Sequence, residues 1–96
     1  MSGNVTLLTE EEITTALGTL SGWTRSDASI TATVELADFR EAMLYTGAVA
    51  YLAETANHHP DILIRWNRVT LTLSTHSEGG LTAADMSLAG RISALR

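Results

Sequence analysis

The sequence contains no cysteine, and this absence excludes disulfide bonds and thiolate metal sites. It also contains no lysine, and its six arginines are set against eleven acidic residues, which gives a formal net charge of −5. The arginines are scattered and form no dense stripe, so we expect no direct binding to nucleic acid, which requires clustered positive charge. No apolar run approaches the ~18 residues of a transmembrane helix, and the chain does not open like a secretory signal. These absences suit a cytoplasmic protein.

The remaining composition is that of one small globular domain. The 96 residues, 45% of them hydrophobic, predict a single domain over residues 1–96. A domain of this size buries too little surface to be very stable alone, so we expect a homodimer or homotetramer. Residues 1–8 are expected to form a frayed start.

Three helices are predicted, and each begins at a capping box, in which a side chain satisfies an otherwise orphan backbone N–H. The boxes pair Thr9 with Glu12, Asp38 with Glu41, and Thr82 with Asp85. We expect the first helix to end at Ser21-Gly22 and the second near Ala56. The apolar face expected of the second helix consists of Phe39, Ala42, Met43, Val49, Leu52, Ala53 and Ala56.

Two pairs of strands are predicted between the helices. Apolar and polar residues alternate from Ser29 to Leu36, and the stretch Trp23–Arg25 is the expected neighbour of this strand. Residues Asp61–Trp66 and Arg68–His76 are expected to form a hairpin that turns near Asn67. An edge strand such as Ser29–Leu36 could also pair between subunits. The pattern favours an α+β fold, a four-stranded antiparallel sheet with three helices packed on one face, in the order α-β-β-α-β-β-α.

The three histidines of the chain, His58, His59 and His76, fall within nineteen positions. Histidine is the side chain whose unperturbed pKa, about 6.5, allows proton exchange near neutral pH, so this clustering predicts proton-transfer chemistry. Pro60 bars the second helix from continuing, which places His58 and His59 at or just past its end. Glu54 and His58 are four residues apart, so we expect the carboxylate to orient the ring. The strand alternation places His76 on the polar face of the sheet.

Each of these residues also has a structural explanation. Glu54 and His58 could form a surface pair at a helix C-terminus, and the two adjacent histidines could be solvated loop residues. A zinc site of three histidines is a further alternative, although the usual helical spacing of four between two histidines is missing. Asp85 completes a capping box. Both tryptophans belong more often to a core or an interface than to a ligand site.

Taken together, these residues closely resemble one family, the pterin-4a-carbinolamine dehydratases, also known as the dimerisation cofactor of a hepatocyte nuclear factor. The family pattern contains an acidic residue, His-His-Pro, an aromatic residue, a histidine and an aspartate at set spacings. The matching residues are Glu54, His58-His59-Pro60, Trp66, His76 and Asp85. Similar flanking segments are Gly22-Trp23, Asn67-Arg68-Val69, Leu73-Ser74-Thr75-His76 and Gly80-Leu81-Thr82. The resemblance covers nearly the whole chain from Thr9 on.

The resemblance implies an α+β fold and the dehydration of 4a-hydroxytetrahydropterin to the quinonoid dihydropterin, a step that recycles tetrahydrobiopterin. It implies that His58 and His76 are the acid and the base, in an order that stays open, and that His59 holds the pterin and assists. Glu54 would support the histidines, and Asp85 would lie at the edge of the site. No metal or other cofactor is implied.

The remaining expected site residues would bind the substrate. They are Pro60, Thr75, Ser77, Glu78, Trp23 and Trp66. The reaction removes a proton from pterin N5 and expels the 4a hydroxyl, so it needs a base on one side and an acid on the other. Two histidines in different surroundings can hold opposite protonation states near neutral pH.

Three positions depart from the family pattern. Ile62 stands where many members carry an aromatic residue, Trp66 where tyrosine is common, and Ala84 where some members carry a charge. These positions bear on the preferred pterin side chain more than on the reaction. Two other functions stay open: a regulatory module that binds a partner protein, and a role in molybdopterin metabolism, for which Ile62 is the one hint.

Overall fold

A computed structural model describes residues 6–96, and its helices and strands follow the predicted order. The elements are α1 (Glu10–Leu17), β1 (Thr24–Ser26), β2 (Ser29–Glu35), α2 (Phe39–Ala56), β3 (Asp61–Arg65), β4 (Arg68–Leu73) and α3 (Ala83–Ser93). A short 3₁₀ turn, His76–Glu78, lies between β4 and α3. The helices pack on one face of a four-stranded antiparallel sheet, so the predicted α+β fold is confirmed.

The sheet has the strand order β1-β2-β4-β3, with every neighbouring pair antiparallel. Strand β4 is central because it pairs with β2 on one side and with β3 on the other, and its alternation buries Val69, Leu71 and Leu73 completely. The prediction that the Ser29–Leu36 strand lies at an edge was wrong in part. Its first residues, Ser29–Thr31, are covered by β1, which supplies a three-residue partner for only this part of the strand.

The core lies between the buried face of the sheet and the helices. The sheet contributes Ile30 and Ala32 beside the buried residues of β4, and α3 contributes Leu88, Ala89 and Ile92. The opposite face of the sheet is polar, with Thr31 opposite Thr72 and Thr33 opposite Thr70 across the β2–β4 pair. This separation of faces is the alternation that the sequence predicted.

The apolar face of α2 is narrower than predicted. Its buried residues are Ala42, Val49 and Ala53, a stripe of small side chains that lets the helix pack closely. Phe39 and Met43 are 52% and 45% exposed, and Ala56 is also exposed, so their predicted burial was wrong. Among residues 6–96, no helix has the length and apolar character needed to cross a membrane.

Two of the three predicted capping boxes are complete, those of α1 and α3. At the start of α2, one half of the capping box is present, the hydrogen bond from the Glu41 N–H to the Asp38 carboxylate. Helix α1 ends at Leu17 rather than at Ser21-Gly22, because tighter turns take over after Gly18.

The expected frayed start was wrong for the two leucines that precede α1. Leu7 forms a bridge with Thr82, and the Leu8 N–H donates to the Leu81 carbonyl at 2.9 Å. Thr6 is exposed and belongs to no helix or strand, and residues 1–5 lie outside the described part of the chain.

Candidate active site

The site is built where α2 ends, and a single left-handed residue sets its geometry. Asn57 has φ 51° and ψ 44°, and its N–H bonds back to the last turn of the helix. Asparagine tolerates this conformation better than most residues, and Pro60 bars any return to helix. His58 therefore leaves the helix axis. The predicted pairing of Glu54 with His58 was wrong because the four-residue spacing assumes a continuous helix.

The partner of His58 is Asp85, twenty-seven residues later on α3. The His58 Nε2 atom lies 2.6 Å from Asp85 Oδ1. The Asp85 side chain is fully buried, and the His58 side chain is 16% exposed. Asp85 was expected at the edge of a site, whereas the structure places it beneath the histidine, inside the protein. Because a carboxylate can only accept hydrogen bonds, this contact directs the N–H of His58 Nε2 inward.

The second oxygen of Asp85 is held by two further donors. Asp85 Oδ2 accepts from the Thr82 N–H at 2.9 Å and from the Thr75 hydroxyl at 2.8 Å. The Thr75 and Thr82 side chains are themselves 2.7 Å apart, and both residues are buried. Asp85 is also in the first turn of α3, where a negative charge is favoured by the helix dipole. The buried carboxylate thus has a hydrogen-bond partner on each oxygen.

His59 forms a second histidine–carboxylate pair, this one on the surface. Its Nε2 atom lies 2.6 Å from Glu54 Oε2, and the two side chains are 56% and 77% exposed. Solvent screens such a pair, so it orients the ring less firmly than a buried contact does. The two adjacent histidines therefore meet acidic partners in different surroundings.

The predicted extension of the second hairpin strand to His76 was wrong, because β4 ends at Leu73 and His76 begins the 3₁₀ turn. Its side chain is exposed, in agreement with the predicted polar position. It lines a cleft of about 430 Å³ at the polar face of the sheet, together with Asp61, Thr72 and Ser74. His58 and His59 do not line this cleft. The chain links the two regions directly, because Asp61 follows Pro60 and His76 follows Thr75.

The remaining predicted substrate-binding residues are spread over several surroundings. Ser77 and Glu78 share the exposed 3₁₀ turn with His76. Trp23 is a core residue, and its indole N–H donates to Ser93 Oγ at 2.9 Å. Trp66 is 66% exposed at the β3–β4 turn. Neither tryptophan joins the hydrogen bonds around Asp85, so their part in substrate binding stays a prediction.

A metal centre finds no support in the geometry. Over residues 6–96, no group of three or more His, Asp or Glu side chains is arranged to hold a metal ion. The three histidines go to three separate surroundings: a buried carboxylate, an exposed carboxylate and an open cleft.

One part of this site was missed by the sequence analysis, the support that two threonines give to Asp85. A signal was present, because Thr75 continues the buried alternation of Val69, Leu71 and Leu73. A polar side chain on an apolar face needs a hydrogen-bond partner. Thr82 was assigned only as a helix cap.

The family of the chain follows from comparison with known proteins. The model of the pterin 4 alpha carbinolamine dehydratase family matches residues 6–95. This chain belongs to that family. A protein of Roseiflexus castenholzii is 52% identical over 86 residues, which cover 90% of this chain and 92% of the relative. A protein of Nocardia farcinica is 53% identical over 89 residues, which cover 93% and 94%. Both carry the provisional name pterin-4-alpha-carbinolamine dehydratase.

Solved structures agree with the fold. The crystal structure of a transcriptional coactivator/pterin dehydratase from Brucella melitensis has a TM-score of 0.90 at 37% identity, over 94% of this chain and 98% of that one. A pterin dehydratase-like protein described as a RuBisCO assembly factor in the alpha-carboxysome has a TM-score of 0.62 at 22% identity, over 76% and 84%. The latter shares the fold alone.

The dehydratase family is named for a hydro-lyase activity, in which water is eliminated from a pterin. This agrees with the enzyme class and the family predicted from the sequence.

Proposed function

We propose that the protein dehydrates 4a-hydroxytetrahydrobiopterin to quinonoid dihydropterin and water by histidine acid/base catalysis, and so recycles tetrahydrobiopterin. The observation that carries the proposal is the contact between His58 and the fully buried Asp85. A histidine held by a buried carboxylate has a fixed ring orientation, which a proton-transfer group needs.

The chemistry needs two proton transfers. The N5–H bond of the pterin breaks and its electrons form the new double bond to C4a, while the C4a–O bond breaks and the hydroxyl leaves as water after gaining a proton. His58 and His76 are the proposed pair, one accepting the proton and the other donating it. Support for His76 comes from its exposure and from its place in the 430 Å³ cleft.

The other site residues act on the substrate or on these two histidines. His59, which is paired with the exposed Glu54, holds the pterin and assists. Pro60 and the turn residues Ser77 and Glu78 line the bound ring. The substrate reaches the site as a free small molecule, and no step requires a metal or redox cofactor.

A stopped-flow dehydration assay tests the proposal. Freshly generated 4a-hydroxytetrahydropterin is mixed with wild-type protein, His58→Ala or His76→Ala at pH 7. We expect acceleration over the spontaneous reaction by the wild type and a loss of about 10² or more in each variant. No acceleration by the folded wild-type protein would reject the proposed activity.

We also propose that the protein is a homodimer or homotetramer. Large apolar side chains stand exposed on α2 and at the β3 edge of the sheet, where Leu44 is 57% and Leu63 is 56% exposed. Large exposed apolar side chains of this kind are candidates for contacts between subunits. Sedimentation velocity on Leu44→Glu and Leu63→Glu tests each surface separately. A wild-type protein that sediments as a monomer at micromolar concentration would contradict the proposal.

A second function, binding of a regulatory protein, has one observation in its favour. The similar Brucella melitensis protein is described as a transcriptional coactivator as well as a pterin dehydratase. The exposed apolar residues of α2 offer a surface for such a partner. Two results together would favour this function over the enzymatic one. A stoichiometric partner would bind equally well to a variant in which all three histidines are replaced, and the wild type would show no catalysis.

A further inference from the structure

Two buried threonine hydroxyls lie behind the His58–Asp85 pair, and the proposed proton transfers give them no direct role. Thr75 is 8% exposed and Thr82 is 1% exposed. Within residues 6–96, neither side chain is hydrogen-bonded to His58 itself. Both belong to one hydrogen-bonded chain that ends on the Asp85 carboxylate.

The direction of every hydrogen bond in this chain follows from counting protons. Asp85 can only accept as a carboxylate, so the Thr75 hydroxyl donates its single proton to Oδ2, 2.8 Å away. Thr75 Oγ1 must then accept in the 2.7 Å contact with Thr82, whose hydroxyl is the donor. Thr82 Oγ1 in turn accepts the Ala84 N–H at the start of α3, at 3.3 Å.

The same carboxylate faces His58 with its other oxygen. Oδ1 has no proton to offer, so His58 Nε2 carries the hydrogen in the 2.6 Å contact. In a neutral imidazole, the proton on Nε2 leaves Nδ1 as the acceptor. The carboxylate therefore selects one tautomer of His58, and the donors from Thr82 and Thr75 hold Oδ2 so that Oδ1 stays directed at the ring.

We propose that Thr75 and Thr82 are positioning residues that hold Asp85 by a one-way chain of hydrogen bonds and thereby fix His58 with its proton on Nε2 and a lone pair on Nδ1. The inference deepens the proposed function and rests on it for its catalytic consequence. It gives Thr75 a different task from the direct pterin contact expected from the sequence, because its hydroxyl is already engaged by Thr82 and Asp85.

The hydroxyl of Thr75 can be removed with little change of shape. Thr75→Val deletes the donor to Oδ2 and strands the Thr82 hydroxyl, whereas Thr75→Ser keeps the chain intact. A matched control is Thr70→Val, five residues earlier on β4, which loses a hydroxyl contact of 3.0 Å with Thr33 on the outer face of the sheet. In the described part of the chain, the Thr70 hydroxyl bonds to Thr33 and not to Asp85 or His58.

The test records the ¹⁵N chemical shifts of the His58 ring in the substrate-free protein, beside the kcat and KM of each variant. We expect the wild type, Thr75→Ser and Thr70→Val to show protonated Nε2. We expect Thr75→Val to weaken that preference, because the carboxylate loses one of the two donors that direct Oδ1 at the ring. The same variant should lose about tenfold in kcat, equivalent to ~1.4 kcal/mol of barrier, with KM unchanged.

The outcomes separate this inference from the proposed function. If His58 of the wild-type protein is protonated on Nδ1 and unprotonated on Nε2, the proposed hydrogen-bond chain is wrong. This outcome decides the question even if Thr75→Val does not fold. A folded Thr75→Val with wild-type ring shifts and wild-type kcat overturns the proposed chain as well. If Thr75→Val changes the ring shifts as expected but the wild-type protein does not dehydrate the pterin, the hydrogen-bond chain is supported and the proposed enzymatic function is rejected.

Discussion

Replacing Asp85 by asparagine should damage catalysis far more than stability. The side chain keeps its size, and its amide oxygen can still accept from the two donors that meet Oδ2, the Thr82 N–H and the Thr75 hydroxyl. The amide NH₂ then faces His58 Nε2, which is 2.6 Å from the other oxygen in the wild type. Two donors would meet there, so the ring must move its proton to Nδ1 or lose the contact.

The size of both effects follows from this geometry. A wrong tautomer removes the acid/base function of the ring, which is worth ~10²–10⁴ in rate; the comparable change in a serine protease costs about 10⁴ in kcat. Asp85→Asn retains two of the three hydrogen bonds to the side chain, so we expect a loss of ~1–2 kcal/mol in the free energy of unfolding. Asp85→Ala leaves all three donors without an acceptor and should cost ~3–5 kcal/mol.

The comparison needs two assays on the same preparations. Stopped-flow dehydration gives kcat, and urea unfolding gives the stability of wild type, Asp85→Asn and Asp85→Ala. The reasoning is refuted if Asp85→Asn turns over at the wild-type rate, because the carboxylate would then have no part in orienting His58. It is also refuted if Asp85→Asn unfolds as easily as Asp85→Ala.

Three smaller changes test the local structure by urea unfolding. Asn57→Ala should cost ~1–2 kcal/mol, because alanine lacks the short polar side chain through which asparagine tolerates φ 51°, and Asn57→Gly should not; equal losses would contradict this. Trp23→Phe loses the hydrogen bond to Ser93 and leaves a small cavity in the core, so it should cost ~1–3 kcal/mol, and unchanged stability would contradict this. The hydrogen bond from Arg25 lowers the pKa of Glu10 below 4.5, so Glu10→Gln should reduce stability at pH 7. That difference should vanish as the pH falls through the lowered pKa, and a constant difference would argue against the pair.

The fold was predictable because its signals are local. The alternation in β2 and β4 and the capping boxes of α1 and α3 depend on neighbouring residues only, and the structure contains them all. The extent of the α2 core face was not predictable in the same way. Periodicity marks a side chain such as Phe39 as apolar, but it does not distinguish burial within the chain from burial against a partner.

The candidate site was predicted in its residues but not in its pairing. His58, His59, Glu54 and Asp85 were all singled out, yet Glu54, which was expected to pair with His58, pairs with His59, and His58 pairs with Asp85. The left-handed residue Asn57 causes this difference. It ends the helix before His58, so helical spacing cannot predict which carboxylate His58 contacts. The contact with Asp85 also joins residues 27 positions apart, which only the tertiary structure brings together.

The most direct test of the account compares the two adjacent histidines. His58→Gln and His59→Gln remove the same ring, one from a buried pair and one from a pair that is more than half exposed. We expect His58→Gln to lose ~10² or more in kcat at near-normal KM, and His59→Gln to act mainly on KM. Equal losses of kcat in the two variants, or a larger loss in His59→Gln, would contradict the assignment of the buried His58–Asp85 pair as the centre of the reaction.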